Sequence, residues 1–232
     1  SVTKSYGNQL ALNEISFSAN KGEIIGFLGP NGAGKSTMMK ILTGFILPTK
    51  GTIFVSGINV LKNPIEAKAH IGYLPEQNPL YEDMYVKEYL QFQASIFKVP
   101  KEAIETVVNT VGLMPEVYKK IGQLSKGYQQ RVGIAAAIIH NPDVLVLDEP
   151  TTGLDPITSR SVHELIKNVS RNLGKTAVVV SHDMRNALNT ADKIAVLDAG
   201  RVVDLGTPKE ILKSNHSLTV AFLEDLKKDS KA

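Results

Sequence analysis

The chain has 232 residues, 43% of them hydrophobic, which suits one large α/β domain or a domain with an inserted subdomain and argues against wholesale disorder. Lys and Arg outnumber Asp and Glu by 26 to 23, and a net charge of +3 is too small to indicate a nucleic-acid partner or an anionic membrane surface. Because the chain has no cysteine, disulfides, zinc–thiolate sites and thiol catalysis are excluded.

The first part of the chain predicts short strands around one helix. Residues 10–17 and 52–55 have strand character, and turn residues that include the dipeptide 50–51 separate them, so we expect an antiparallel layer beside a main sheet. Residues 23–28 form an apolar run typical of a buried strand. Residues 35–43 predict the helix that follows it.

The middle of the chain predicts helices. From about residue 86 to residue 140 the pattern is mainly helical, with breaks at 99–100, 112–115 and 122. This stretch ends at the turn dipeptide 141–142, where the chain returns to strand-forming sequence. We therefore predict a helical subdomain inserted at about residues 76–141.

The last part of the chain predicts a βαβ unit. Residues 144–147 and 176–180 are near-continuous apolar strands, and residues 159–173 between them are helical. This predicts an α/β fold whose core, about 1–75 and 142–213, holds a mostly parallel sheet covered by helices on both faces. Residues 214–232 are expected to form a charged, solvated tail. No stretch is long and apolar enough to span a bilayer, so another chain or segment would have to cross a membrane.

A phosphate-binding loop is the strongest functional motif. It follows a predicted strand, opens a predicted helix and matches G-x-x-x-x-G-K-[ST]. Glycines let such a backbone curl so that its N–H groups, with those of the helix start, point at phosphate oxygens. The ammonium group can neutralise the β- and γ-phosphates, and the hydroxyl that follows can bind Mg²⁺. The motif consists of Gly29, Pro30, Asn31, Gly32, Ala33, Gly34, Lys35, Ser36 and Thr37.

Two carboxylates follow the apolar strand 144–147. Asp148 and Glu149 would lie at the carboxyl end of a parallel strand, where open α/β sheets bind ligands. Asp148 is expected to hold Mg²⁺, directly or through water, and Glu149 to orient or deprotonate the attacking water. With the phosphate loop, this pair predicts a P-loop NTPase.

With these motifs the chain resembles the ABC ATPase family over almost its whole length. Residues 124–131 resemble the family signature L-S-G-G-Q: Ser125 and Gly127 are kept, while Lys126 and Tyr128 replace the usual Gly and Gln. The resemblance implies that Ser125 and the Gly127 N–H cover an ATP molecule held by the phosphate loop of a second subunit.

Further site residues follow from the same resemblance. Asp155, in Thr-Gly-Leu-Asp-Pro, corresponds to the D-loop and would contact the second subunit. His182 resembles the switch histidine that contacts the γ-phosphate, and Tyr6 resembles the aromatic residue that stacks on adenine. In Leu-Pro-Glu-Gln, Glu76 falls where the family's Q-loop glutamine usually stands and Gln77 comes one place later, so either could sense Mg²⁺ and water.

Within the family, two parts of the chain resemble different subunits. Residues 16–147 are most similar to exporter-type subunits, especially those of gliding-motility systems. Residues 155–208 are more similar to subunits of phospholipid-trafficking transporters. Residues 78–85 resemble the patch that faces the transmembrane partner.

The resemblance implies an ATP-binding and ATP-hydrolysing subunit of an ABC transporter. Two such subunits, identical or different, would close around two MgATP molecules at the cytoplasmic face of the inner (plasma) membrane and drive an integral membrane permease. A soluble ABC ATPase of translation or DNA maintenance is the alternative, although such proteins usually carry two cassettes or long coiled coils. A nucleotide-gated scaffold that hardly hydrolyses ATP is a third hypothesis.

Overall fold

The centre of the computed structural model, which describes residues 1–229, is a sheet whose inner strands are apolar along almost their whole length. In chain order the strands are β1 (Val2–Tyr6), β2 (Gln9–Ile15), β3 (Ile24–Leu28), β4 (Lys50–Gly51), β5 (Phe54–Val55), β6 (Ile58–Asn59), β7 (Ile71–Leu74), β8 (Val144–Asp148), β9 (Thr176–Ser181), β10 (Lys193–Asp198) and β11 (Arg201–Gly206). The helices are α1 (Lys35–Leu42), α2 (Pro64–Ala69), α3 (Val86–Ile96), α4 (Glu102–Thr110), α5 (Lys126–Ile138), α6 (Pro156–Asn172), α7 (Met184–Thr190), α8 (Pro208–Ile211) and α9 (Ser217–Asp229), with 3-10 turns at Met114–Glu116 and Ile121–Gln123.

The main sheet has the strand order β11-β10-β3-β9-β8-β7, and every neighbouring pair except β10 and β11 is parallel. Leu28 at the end of β3 pairs with Ser181 at the end of β9, and Asp148 at the end of β8 pairs with Val180. The segments that follow these three strands therefore leave the sheet at one edge. This register brings the phosphate loop, the Asp148-Glu149 pair and His182 together, and it confirms the predicted parallel core.

The predicted antiparallel layer is confirmed, with one local error. Strand β1 pairs with β2 on one side and with β4 on the other. The dipeptide Lys50–Gly51, predicted as a turn, is strand β4, because Val2 and Thr3 of β1 supply it with a pairing partner. The strand predicted at residues 52–55 is shorter than expected and forms a separate hairpin, β5 with β6.

Each face of the main sheet has its own hydrophobic core. Ile24 and Leu28 of β3 pack on one face with the helices between residues 86 and 138. Ile25 and Phe27 pack on the other face with α1 and the antiparallel layer. Because side chains alternate along a strand, one apolar strand feeds both cores. The helical breaks predicted in the middle of the chain are confirmed, whereas the division into core and helical subdomain stays a prediction.

The C-terminal segment is more than the solvated tail that we expected. Side chains on one face of α9, Phe222, Leu223 and Leu226, pack against the core that contains Ile24. The Asp204 carboxylate on β11 accepts a hydrogen bond from Thr219 Oγ1 at 2.9 Å. The charged pattern concealed this apolar face because its hydrophobic residues are few. Residues 230–232 of the predicted tail lie outside the described residues.

Helix α5 lies so close to β7 that only glycine fits at position 72. A Cβ there would lie 2.1 Å from the Ala137 carbonyl oxygen and 2.9 Å from the Leu145 side chain. We expect Gly72→Ala to lower the free energy of unfolding by about 2–3 kcal/mol, because backbone must move. Urea unfolding measures it. Gly206→Ala is the control, since its methyl would meet only side-chain atoms of Glu210, none closer than 3.0 Å, and no backbone. Equal losses in the two variants would contradict the assignment.

Candidate functional site

The phosphate loop connects β3 to α1 and is held tightly against its neighbours. Gly34 has a φ of 103°, and a Cβ on it would lie 2.6 Å from Leu12 and 2.8 Å from the Ala11 carbonyl oxygen. A glycine is therefore required where the loop enters the helix. The N–H groups of Lys35, Ser36 and Thr37 open α1 and have no acceptor within it, so the loop presents donors to an anion.

Lys35 is buried at the centre of this loop. Its Nζ donates hydrogen bonds to the carbonyl oxygens of Gly29, at 2.7 Å, and Pro30, at 3.2 Å. The same nitrogen lies 3.9 Å from Glu149 Oε1. The ammonium group thus lies between the loop and the acidic end of β8, where it can neutralise an anion that enters the loop.

Oxygen atoms suited to a divalent cation meet at the end of β8. Ser36 Oγ donates a hydrogen bond to Asp148 Oδ1 over 3.3 Å. Burial raises the pKa of the Asp148 carboxyl, and the charges of Glu76 and Glu149 raise it further, against the opposing effects of Ser36 and Lys35. A nearby cation would relieve this repulsion. Hydroxyl and carboxylate oxygens fit Mg²⁺, which usually takes one or two carboxylates together with water and substrate phosphates.

Glu149 and His182 form a hydrogen-bonded pair next to this oxygen cluster. His182 Nδ1 lies 2.8 Å from Glu149 Oε2, and the imidazole is largely exposed while the carboxylate is buried. Glu149 has a φ of 51°, a left-handed conformation that is uncommon for a residue with a side chain. Strain of this kind persists where surrounding contacts enforce it, and it often marks a functional position.

A cavity of about 470 Å³ lies over the loop and includes only part of the predicted set. Tyr6 lines it with half of its surface exposed, and Lys4 Nζ lies 4.8 Å from the centre of the Tyr6 ring. Glu76 also lines it, whereas Gln77 does not. Burial raises the pKa of Tyr73 to about 12, with the charges of Asp148 and Glu76 as further causes.

The sequence analysis missed the turn between β10 and β11. Ala199 and Gly200 line the cavity, and Gly200 N donates to the Ala33 carbonyl oxygen at 3.0 Å. Asn13 N donates in turn to the Gly200 carbonyl oxygen at 2.7 Å. The turn therefore supports the phosphate loop from outside. An Ala-Gly pair between two strand-like runs indicates a hairpin, but it does not indicate what the hairpin touches.

Ser125, Gly127 and Asp155, which are among the predicted residues that do not line the cavity, lie at the starts of α5 and α6. Ser125 is the N-cap of α5, where its Oγ accepts from Tyr128 N at 3.4 Å. Gly127 is buried against Thr158 at the start of α6. Asp155 is the exposed N-cap of α6, where its Oδ1 accepts from the N–H groups of Ile157 and Thr158, both at 3.0 Å. These helix starts lie side by side on the surface.

The raised pKa of Asp148 predicts that its ionised carboxylate destabilises the folded protein when no ligand is bound. Asp148→Asn should stabilise the nucleotide-free protein, and this gain should appear as the pH rises above the ordinary carboxyl pKa, where the parent must ionise a buried group that resists ionisation. The variant should gain less stability than the parent when MgATP is added. Thermal unfolding between pH 3 and pH 8, with and without MgATP, measures both effects.

Asp143 provides the matched control. The hydrogen bond from His70 holds the pKa of the Asp143 carboxyl below its ordinary value. Asp143→Asn should therefore lose stability over the pH range in which Asp148→Asn gains it. If both variants change stability in the same direction at neutral pH, the electrostatic account of Asp148 is wrong.

Curated proteins of similar sequence are ATP-binding subunits of transporters. The glycine betaine/carnitine/choline transport ATP-binding protein OpuCA of Bacillus subtilis is 39% identical over 220 residues, which are 92% of this chain and 58% of that protein. The bacitracin transport ATP-binding protein BcrA of Bacillus licheniformis is 37% identical over 204 residues, which are 88% of this chain and 67% of that protein. The chain thus spans little more than half the length of some of these relatives.

Solved structures show the same fold. CbiO1 of Clostridium perfringens, part of the ABC transporter complex cbiONQ, has a TM-score of 0.84 and 29% identity over 92% of this chain and 88% of that chain. The dimeric ATP-binding cassette MJ0796, in a post-hydrolysis state bound to ADP and Pi, has a TM-score of 0.79 and 29% identity over 89% of this chain and 96% of that chain.

Two family models match parts of the chain. A model described as an AAA domain, putative AbiEii toxin, Type IV TA system, matches the short range 120–185. A model described as ABC transporter matches residues 12–152, more than half of the chain, from β2 through the phosphate loop to the end of the Asp148-Glu149 segment. This chain belongs to the ABC transporter family, among its ATP-binding subunits.

Proposed function

We propose that this chain binds MgATP over its phosphate loop, hydrolyses it as one half of a closed dimer and thereby drives a membrane permease. The observation that carries the proposal is the unbroken set of contacts from Lys35 through Glu149 to His182. These contacts connect Lys35, which can hold phosphate, to Glu149 and His182, which can accept a proton. A loop that only bound phosphate would not need the Glu149–His182 pair.

Nucleotide binding would use the loop and the cavity above it. The N–H groups of the loop and of the first turn of α1, together with the Lys35 ammonium, would hold the phosphates. Lys35 would exchange the carbonyl oxygens of Gly29 and Pro30 for phosphate oxygens, which are stronger acceptors because they are charged. Asn31 and Gly32 line the cavity beside it, and Tyr6 at its edge would stack on adenine with the ring face that Lys4 leaves free.

Magnesium would be held by Ser36 and Asp148, with Glu76 close by. Bound there, Mg²⁺ would neutralise charge on the phosphate oxygens. Glu76, and not Gln77, is the Q-loop residue that we propose, because its side chain lines the cavity and raises the pKa of Asp148. A carboxylate in place of the usual amide adds a negative charge to the metal site.

Hydrolysis would depend on Glu149 and His182. The Glu149 carboxylate would accept a proton from the attacking water or orient that water in line with the γ-phosphate. His182, hydrogen-bonded to Glu149, would hold the carboxylate in position and place its exposed imidazole near the γ-phosphate. Phosphoryl transfer requires mainly positioning and charge neutralisation, which these two residues and Lys35 can supply.

A second cassette would complete the site. Ser125 and Gly127 lie outside the cavity of their own chain, at the start of α5, where a helix N-terminus favours an anion. We propose that they cover the γ-phosphate held by the other subunit and that Asp155 contacts that subunit. MJ0796, which shares this fold, has been solved as a dimer. Closure around two nucleotides follows from this arrangement.

A membrane permease is the partner that we propose for the opposite side of α5. An apolar groove of about 660 Å³ lies there between the core and the helical segment, with Phe45, Pro79, Tyr89 and Phe97 among its lining residues. Within residues 1–229 no helix has the length and apolarity to cross a bilayer. In this proposal the chain acts at the cytoplasmic face of the membrane through this groove and the adjacent patch at 78–85.

The reaction is tested by Glu149→Gln. The amide cannot accept the proton, so kcat should fall by at least about 10²-fold, while the Kd for ATP should stay close to that of the parent. Stopped-flow phosphate release and fluorescence titration with a labelled ATP analogue measure the two quantities.

Lys35→Ala is the control for that experiment. It should weaken ATP binding by about 10- to 100-fold because it removes charge-assisted contacts. Normal turnover in Glu149→Gln would refute the role of Glu149. Unchanged ATP binding in Lys35→Ala would refute the site itself.

The assignment of Glu76 is tested against its neighbour. Glu76→Ala should raise the Mg²⁺ concentration needed for half-maximal turnover several-fold, whereas Gln77→Ala should leave it unchanged. Titration of MgCl₂ at fixed ATP, supported by calorimetry with a non-hydrolysable analogue, measures this. A larger effect of Gln77→Ala would give the Q-loop role to Gln77.

A further inference from the structure

One face of α6 contacts both loops that carry the proposed hydrolytic residues. Ser159 and His163 are four residues apart and therefore lie one above the other on this helix. His163 contacts the loop that follows Glu149, and Ser159 contacts the start of the helix that follows His182. The helix is well placed to hold the two loops relative to each other.

The contact of His163 is buried and polar. His163 is 4% exposed, and its Nε2 lies 3.3 Å from Thr151 Oγ1. Burial lowers the pKa of the His163 imidazole, although the carboxylates of Asp183, Glu149 and Glu164 oppose this shift. Its Nδ1 has no hydrogen-bonding partner. A buried imidazole with one satisfied nitrogen costs stability that an apolar residue would not cost, so its presence calls for a physical reason.

The loop that His163 contacts holds Glu149 in an unfavourable conformation. Glu149, with its φ of 51°, begins a tight turn in which Thr152 N donates to the Glu149 carbonyl oxygen at 3.2 Å. Leu154 N donates to the Thr151 carbonyl oxygen, also at 3.2 Å. Left-handed backbone outside glycine persists only when several contacts enforce it. Within this turn, the Thr151–His163 bond is a side-chain contact that reaches the body of α6.

The second loop is held by a parallel set of bonds. Asn186 Nδ2 donates to Asp183 Oδ2 at 2.8 Å and lies 3.5 Å from Ser159 Oγ. Asp183 N donates to Ser181 Oγ at 3.0 Å, across His182. The backbone on both sides of His182 is therefore connected to α6, as the backbone after Glu149 is.

We propose that His163 is a positioning residue for ATP hydrolysis: through Thr151 it fixes the turn that begins at Glu149 and so keeps the Glu149 carboxylate directed at His182. The inference rests on the proposed function, because it assumes that Glu149 acts on the attacking water. His163 itself does not line the cavity over the phosphate loop. The phosphate loop is held by β2, β10 and α1 and does not depend on α6, so loss of the bond should spare ATP binding.

Four single-residue variants of the chain test this proposal. Thr151→Val removes the hydroxyl with almost no change in shape, and His163→Leu removes the imidazole. His163→Gln keeps a side-chain nitrogen at a similar reach and is the conservative rescue. Val162→Ala is the control: Val162 is buried in the neighbouring position of α6, so the variant loosens the helix without touching the bond.

We expect kcat for MgATP hydrolysis to fall roughly 10- to 100-fold in Thr151→Val and in His163→Leu, because small misplacements of a catalytic group have effects of that size. KM and the Kd for ATP should change less than about twofold. His163→Gln should recover most of kcat. The double variant Thr151→Val/His163→Leu should be no slower than the slower single variant, since both remove one bond.

The outcomes separate the two proposals. A normal kcat in Thr151→Val, or multiplied losses in the double variant, would overturn the role of His163. So would a loss in Val162→Ala as large as that in His163→Leu at similar thermal stability, since that would indicate general loosening of α6. If His163→Leu does not fold, Thr151→Val and His163→Gln still decide. Glu149→Gln, measured in parallel, tests the proposed function: normal turnover there would refute Glu149 whatever the α6 variants do.

Discussion

The buried ammonium group of Lys35 is the interaction on which the rest of the site depends. Two backbone carbonyl oxygens and the Glu149 carboxylate surround it, so a positive charge removed from water is compensated from both sides. A buried charge that loses its partners is costly. The loop, the end of β8 and the turn after it must therefore stay in register. An entering polyphosphate would replace the carbonyl oxygens as the partner without leaving the charge exposed.

Sequence patterns predicted most of the strands and motifs that produce this alignment. The apolar runs at β3, β8 and β9 indicated parallel strands, and the motifs at their ends placed Lys35, Asp148 and His182 at one edge. Contacts between segments that are far apart in the sequence could not be predicted from such patterns. Strand β4 exists because β1 lies beside it, and the choice between Glu76 and Gln77 depends on how one turn leaves β7. The contact of Gly200 with the phosphate loop and the hydrogen bond between His163 and Thr151 could not be predicted either, because no sequence pattern links the residues involved.

Three residues at the site have features that lower the stability of the folded protein. Asp148 carries a carboxyl group that resists ionisation, Glu149 a backbone conformation that few residues adopt, and His163 a buried nitrogen without a partner. Asp148 ends β8, Glu149 begins the segment that follows it, and His163 contacts that segment. Local costs of this kind are expected where a protein holds groups in the geometry of a reaction before the ligand arrives. The apolar strands on either side provide the burial that offsets them.

The alternation of side chains along β3 has a consequence for how such a cassette can diversify. Ile25 and Phe27 belong to the half of the molecule that shapes the nucleotide loop, and Ile24 and Leu28 to the half that carries α3, α4 and α5. The backbone of the sheet separates two hydrophobic cores that pack independently. Sequence drift in the helical half can remodel the surface offered to new partners without repacking the core behind the phosphate loop, which contains Ala33 and Met39.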